Sequence, residues 1–232
     1  MISSNEIRTA ISLFQDVMPL KPLKKDKAYN AHVKHFYQKV EECDWYHIAR
    51  EGKGISALFH RRRAQLTIEL YRKYAAPGKT LDVGCGTGLI LCALPAGSVG
   101  LDINPRNLNK ARHYAPKAEL LEGDAENLPF PEHSFSTIVC TELLEHLVFP
   151  EKAMQEMYRI LQPGGTLIVS TPAAGSVWRL RRFVTPCSQP EPFHNEYTRE
   201  ELLRLFRNFS IEFLEKRIFT TSYFIIGTKR ET

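Results

Sequence analysis

Apolar residues change their spacing twice along this 232-residue chain. Over residues 3–18 they fall at Ile7, Ala10, Ile11, Phe14 and Val17, the i, i+3, i+4, i+7 stripe of an amphipathic helix. Pro19-Leu-Lys-Pro22-Leu-Lys-Lys breaks that stripe as a basic linker. Helical spacing returns over about 28–43 (Ala28, Ala31, Val33, Phe36, Tyr37, Val40) and 57–75 (Leu58, Leu66, Ile68, Leu70, Tyr71). Between these two, Trp45-Tyr-His47 and Gly52-Lys-Gly54 are expected to form a flexible, aromatic-rich crossing. From Lys79 the pattern becomes short β runs separated by helical segments, with strands expected near 80–83, 98–101, 118–122, 135–140 and 166–170. That alternation specifies a doubly wound α/β fold with a Rossmann-like, mostly parallel sheet. The tail departs from it: Ile211 to Arg217 and Tyr223 to Thr228 read as consecutive strands, an antiparallel C-terminal hairpin. Before them, Thr198-Arg-Glu-Glu201 is a capping box opening a helix to Phe206. The expected division is an N-terminal helical cap (1–75) and a core (76–232) carrying an insertion at 173–197.

The first break between strand and helix carries the most information. Residues 81–88 read Leu-Asp-Val-Gly-Cys-Gly-Thr-Gly, followed by a helix pattern at Leu89, Ile90 and Leu91. Glycines in such a turn permit positive φ and let a ligand touch bare backbone. Asp102 follows Asp82 by 20 residues at the end of the next strand, where an acid accepts hydrogen bonds from ribose hydroxyls. A dinucleotide fingerprint would require a third glycine at 89, where leucine stands. A ribose-binding acid without the pyrophosphate loop suits a nucleoside ligand that has no diphosphate.

Three further stretches accompany this turn: Leu120 to Phe130 with Gly123-Asp124-Ala125, Ser134 to His146, and Met157 to Pro172 with Pro163-Gly-Gly165. Together with the turn they resemble the class I S-adenosylmethionine-dependent methyltransferases over roughly Lys79 to Pro172, most similar to the ubiquinone- and menaquinone-biosynthesis-like small-molecule group. The resemblance implies S-adenosyl-L-methionine as cofactor. Gly84, Gly86 and Gly88 would approach its methionine part, with Cys85 in the same loop and Asp82 supporting the ammonium end. Asp102 would hold the ribose diol. Ile103 and Leu128 would flank the adenine, and Asp124 and Ala125 would read its edge. Thr141 and Glu142, past the fourth strand, would lie where the acceptor meets the methyl group. Asp82 has an equal alternative as a strand-end cap. Cys85 reads as a small turn residue, since no activating base accompanies it.

Glu142, Glu145 and His146 are spaced i, i+3, i+4, so a helix would place all three on one face. In one reading they bind a divalent cation, with His194 as a fourth ligand, which resembles the E-x-x-E-H of small-RNA 2′-O-methyltransferases and quinone-biosynthesis O-methyltransferases. In the preferred reading they are a helix start whose acids favour the dipole, and no metal ligand is assigned. His146 and Glu142 are then the catalytic candidates, His146 as general base.

Composition bounds the rest. A net charge of +5 leans towards an anionic partner without requiring one. Five cysteines (43, 85, 92, 140, 187) without C-x-x-C spacing read as reduced thiols of a cytoplasmic protein. No secretory signal or membrane-length apolar run is expected. Trp178-Arg-Leu-Arg181-Arg182-Phe183 reads as a solvated lid helix or a segment docking on an anionic headgroup, and the arginines of His60-Arg61-Arg62-Arg63 are expected on the outer face of the third helix. Thr-Glu-Leu-Leu after strand 4 disfavours exocyclic-amine methylation of nucleic acid, which uses an Asp/Asn-Pro-Pro-aromatic tetrad there. The expected function is methyl transfer to oxygen, nitrogen or carbon of a small-molecule or lipid-linked acceptor. The alternatives are RNA ribose 2′-O-methylation and a catalytically silent cofactor-binding subunit.

Overall fold

The computed structural model describes residues 21–41, 44–175, 191–217 and 221–230. The expected helix over 3–18 and the basic segment 178–183 lie outside them. Three helices precede the sheet: α1 (Lys27–Lys39), α2 (Trp45–Glu51) and α3 (Gly54–Tyr74). Then follow β1 (Thr80–Val83), β2 (Val99–Asp102), α4 (Pro105–Tyr114), β3 (Glu119–Glu122) and β4 (Phe135–Thr141). The chain closes with α5 (Pro150–Ile160), β5 (Leu161–Pro172), α6 (Arg199–Leu205), β6 (Phe209–Arg217) and β7 (Ser222–Lys229). The seven strands lie in the order β3-β2-β1-β4-β5-β7-β6. The first five pair in parallel, and β7 runs antiparallel to both β5 and β6.

Period-2 side chains feed two cores because helices cover both faces. Ile138, Cys140, Leu167, Val169 and Ile225 join one core with Met154, Met157 and Ile160 of α5. The residues between them, Val139, Ile168, Phe224 and Ile226, pack on the other side with Leu70 of α3 and Leu108 of α4. The winding reverses between β1 and β4, which are adjacent in the sheet though far apart in sequence. A crevice opens at such a reversal, beyond the carboxyl ends of the two strands.

Three local expectations are corrected. The aromatic crossing at 45–51 is helix α2, because Asp44 caps it by accepting the His47 amide at 3.0 Å. The helix expected from Leu89 shrinks to a single 3-10 turn at Leu91–Ala93, followed at once by Leu94-Pro95. A residue before proline is disfavoured in the helical region. Finally, Glu142, Glu145 and His146 do not share a helix face. Glu142 stands at φ +52° and a 3-10 turn covers only Leu144–His146. The capping box at Thr198 and Glu201 is formed as expected.

Candidate active site

A cavity of about 230 Å³ lies at the β1/β4 reversal. Of the candidate residues, Asp82, Gly84, Cys85, Gly86, Asp102, Ile103, Asp124, Ala125, Thr141, Glu142 and His146 line it. Gly88 and Leu128 are not among the lining residues. A Cβ on Gly88, at φ +85°, would stand 3.3 Å from the Ala111 Cβ, so this glycine serves close packing on α4. Leu128 is buried in the core with Phe135 and Met157.

At the β1 and β2 ends, Asp102 braces the glycine turn. Its Oδ2 accepts the Gly86 N–H at 2.8 Å and its Oδ1 accepts the Asn104 N–H at 2.8 Å. Gly86 sits at φ +52°, and a Cβ there would meet no atom within 4 Å. The space before it is open, so conformation rather than crowding demands glycine. Burial pushes the Asp102 carboxyl up, and the Asn104 and Gly86 amides and the Asn107 side chain hold it back.

Asp82 is 1% exposed, and neither carboxylate oxygen makes a well-formed hydrogen bond, the Leu91 amide being a nearby donor. Burial first, and then the Asp102 charge, push its carboxyl up to about 7, with the Leu91 amide opposing. An acid held this way in a cavity wall gains most from an arriving cation. Burial likewise pushes the Cys85 thiol well up, which agrees with a packing role and not a nucleophilic one.

At the β4 end the polar groups come from segments far apart in sequence. Glu142 accepts the Ser170 hydroxyl at 3.0 Å through Oε1, while its Oε2 lies 3.1 Å from Arg63 Nη1. Arg63 is therefore not on the outer face of α3. It is buried on the stripe of Ser56, Phe59, His60, Thr67 and Leu70, whereas Arg61 and Arg62 are exposed. Its Nε has no hydrogen-bond partner. Glu145 is 1% exposed and accepts the Thr171 hydroxyl at 3.2 Å. Burial, and then the Glu142 charge, push its carboxyl well above the ordinary glutamate range. His146 Nδ1 lies 2.9 Å from the Tyr37 hydroxyl and 3.4 Å from Glu191 Oε2. The His194 ring meets it edge to face at 5.3 Å. Glu145, His146 and His194 each place a ligand atom within 4.8 Å of the others.

Tyr37 was expected from sequence to roof the acceptor pocket, whereas Arg63, Lys34 and Glu191 were not among the candidates. Arg63 alone left a usable signal, a charge on the apolar stripe of a helix; Lys34 meets its acids 90 and 92 residues away, and Glu191 reaches His146 from the far insertion.

Comparison with known proteins agrees with this geometry. A family described as "Methyltransferase domain" matches residues 81–169. The sterol 24-C-methyltransferase of Pneumocystis carinii is 32% identical over 155 residues, 60% of this chain and 41% of that protein. The 2-methyl-6-phytyl-1,4-hydroquinone methyltransferase of Arabidopsis thaliana is 34% identical over 126 residues, 51% of this chain and 37% of that one. The chain thus spans less than half the length of these relatives. Magnesium protoporphyrin IX methyltransferase from Synechocystis PCC 6803, solved with bound SAH, shares the fold at a TM-score of 0.66 and 16% identity, covering 86% of this chain and 99% of that one.

Proposed function

We propose, for a chain that carries a class I S-adenosylmethionine-dependent methyltransferase domain, that it moves the methyl group of that cofactor to a small-molecule or lipid-linked acceptor. The observation that carries this is one cavity joining the Asp102-braced glycine turn to His146 at the end of β4. In this reading Asp102 holds the ribose diol, Asp124 and Ala125 meet the adenine edge, and Ile103 flanks the ring. The buried Asp82 takes the ammonium end, and Arg63, through its unpartnered Nε, takes the carboxylate of the methionine part. Residues 1–75 serve as a cap and 173–197 as an acceptor-side insertion.

The cofactor supplies an electrophilic methyl on a positively charged sulfur. The chain's contribution is alignment and dehydration, which suit an in-line displacement with a neutral leaving group. An acceptor hydroxyl loses its proton as the oxygen–methyl bond forms and the sulfur–methyl bond breaks. His146 receives that proton, because Glu142 is already engaged by Arg63 and Ser170. The relatives are named for sterols and phytyl-hydroquinones, which favours such an acceptor over RNA ribose.

A second reading, that a divalent cation sits here, is favoured by the gathering of Glu145, His146 and His194. A carboxylate and two imidazoles are a fitting donor set, and such an ion would polarise the acceptor oxygen. Calorimetry with manganese alone, on the unaltered chain and on Glu145→Gln, tests it: binding by the first and not the second supports the cation. The main reading is tested with S-adenosylmethionine and Asp102→Ala. Affinity should fall by about 1.5–3 kcal/mol, the worth of a hydrogen bond to a charged group. Equal affinity in the variant, or preference for NAD, contradicts it.

A further inference from the structure

Helix α1 shares the cavity with the residues assigned to the cofactor: Asn30, Val33, Lys34, Phe36, Tyr37 and Val40 all line it. Its apolar hold is thin. Only Asn30 and Val33 of its 13 residues are buried, and Val33 packs in a small cluster with Val148 and Phe193. Tyr29 and Tyr37 add half-buried contacts to that cluster, and Tyr37 also reaches His146; further polar contacts of the helix are on the nucleoside side of the cavity. Lys34 Nζ lies 2.6 Å from Asp124 Oδ2 and 2.9 Å from Glu126 Oε2. Asn30 Nδ2 donates to the same Glu126 oxygen at 2.8 Å. At the other end, Asn104 Nδ2 donates to the carbonyls of Tyr37 and Val40, both at 2.9 Å, and Arg106 Nη1 donates to the Lys39 carbonyl at 2.9 Å. Asn104 is the residue whose amide Asp102 holds.

An element with few buried apolar contacts opens at low cost. One whose anchors sit on ligand-binding groups is linked to the ligand, because each equilibrium biases the other. We propose that α1 is a lid over the nucleoside site and that Lys34 is its latch, so that the cofactor enters and leaves only with the helix raised. This rests on the cofactor assignment above. The ammonium neutralises Asp124 and Glu126 together, two carboxylates that would otherwise repel with the helix closed. Asp124 Oδ1 accepts the Glu126 amide at 2.9 Å and Oδ2 meets Lys34, which leaves acceptor capacity on the carboxylate for the nucleobase edge. The latch therefore closes onto an occupied site without leaving Asp124.

Two variants separate a lid from a purely local charge effect. Lys34→Ala removes the latch, and Arg106→Ala removes an anchor that does not line the cavity. Release of S-adenosylhomocysteine is followed by tryptophan fluorescence, with Trp45 in the cavity wall as reporter, alongside amide hydrogen exchange over residues 27–39. The expected result is release faster by about tenfold in Lys34→Ala and by less in Arg106→Ala, with faster exchange across α1 in both. Lys34→Arg should restore slow release. Faster release in Lys34→Ala alone, with α1 exchange unchanged, would overturn the lid in favour of a charge effect at Asp124. Unchanged release in both would overturn it outright. Absence of binding by the unaltered chain would overturn the cofactor assignment together with the lid.

Discussion

The two halves of the cavity are built differently. On the half proposed for the nucleoside, the contact that shapes the turn joins Asp102 to Gly86, 16 residues apart. At the end proposed for the acceptor, Tyr37 meets His146 across 109 residues, and Arg63 reaches Glu142 from a helix that precedes the sheet. A turn held by its own neighbouring strand is specified by local sequence. A cluster assembled from a cap helix, a strand end and an insertion is specified by the whole fold. Cofactor recognition and acceptor recognition should therefore fail separately when each half is altered.

The largest separation is expected at His146. Replacing it with Ala should lower the rate of methyl transfer to a hydroxyl acceptor by roughly 10²–10⁴, the usual contribution of a general base, with cofactor affinity unchanged. Single-turnover measurements beside calorimetry check both halves at once. A loss of cofactor binding would dissolve the distinction.

Arg63 should behave as a bridge between the halves. Arg63→Met leaves Glu142 buried without its cation, and losing one partner of a buried pair costs about 3–5 kcal/mol of stability. Chemical denaturation reads that loss. A double variant, Arg63→Met with Glu142→Gln, should recover much of it, since no unpaired charge is then left behind.

Asp82 gives a smaller effect with an informative sign. Its folded carboxyl is raised to about 7, so between the ordinary aspartate range and that pH the folded chain holds a proton that the unfolded chain has released. Stability from this group is therefore highest in acid and falls as pH rises towards 7. Asp82→Asn removes the buried charge while keeping the polar group, and should stabilise the ligand-free chain more at pH 8 than at pH 5. The same change should weaken binding of the cationic cofactor. Thermal melts at pH 5 and pH 8 check the sign, and a variant less stable at pH 8 would mean that Asp82 is satisfied in the free chain.

The same contrast explains what was legible in the sequence. The sheet and its closing hairpin were, because buried strands write themselves as runs of β-branched and aromatic residues. Asp82, Asp102, Gly84 and Gly86 were legible as residues that share one cavity, because their spacing is set by one strand, one turn and the next strand, whereas Gly88 turns out to pack on α4. Helix α2 was not, since Trp45-Tyr-His47 looks like a loop until the Asp44 cap is given weight. Glu142, Glu145 and His146 were legible as a group but not as a geometry: positive φ at Glu142 and a short 3-10 turn replaced the helix face that their spacing suggested. Lys34 was beyond reach, because a lysine on an exposed-looking helix carries no mark of the two acids it meets 90 and 92 residues later.

We propose that one cavity holds the nucleoside on its local half and presents the methyl group to its assembled half. A crystal structure of the chain with S-adenosylhomocysteine tests it most directly. The ribose is expected on Asp102, the adenine beside Asp124 and Ala125, and the sulfur facing Thr141 and His146 beneath α1. A nucleoside bound away from Asp102, or a sulfur turned from the β4 end, would contradict it.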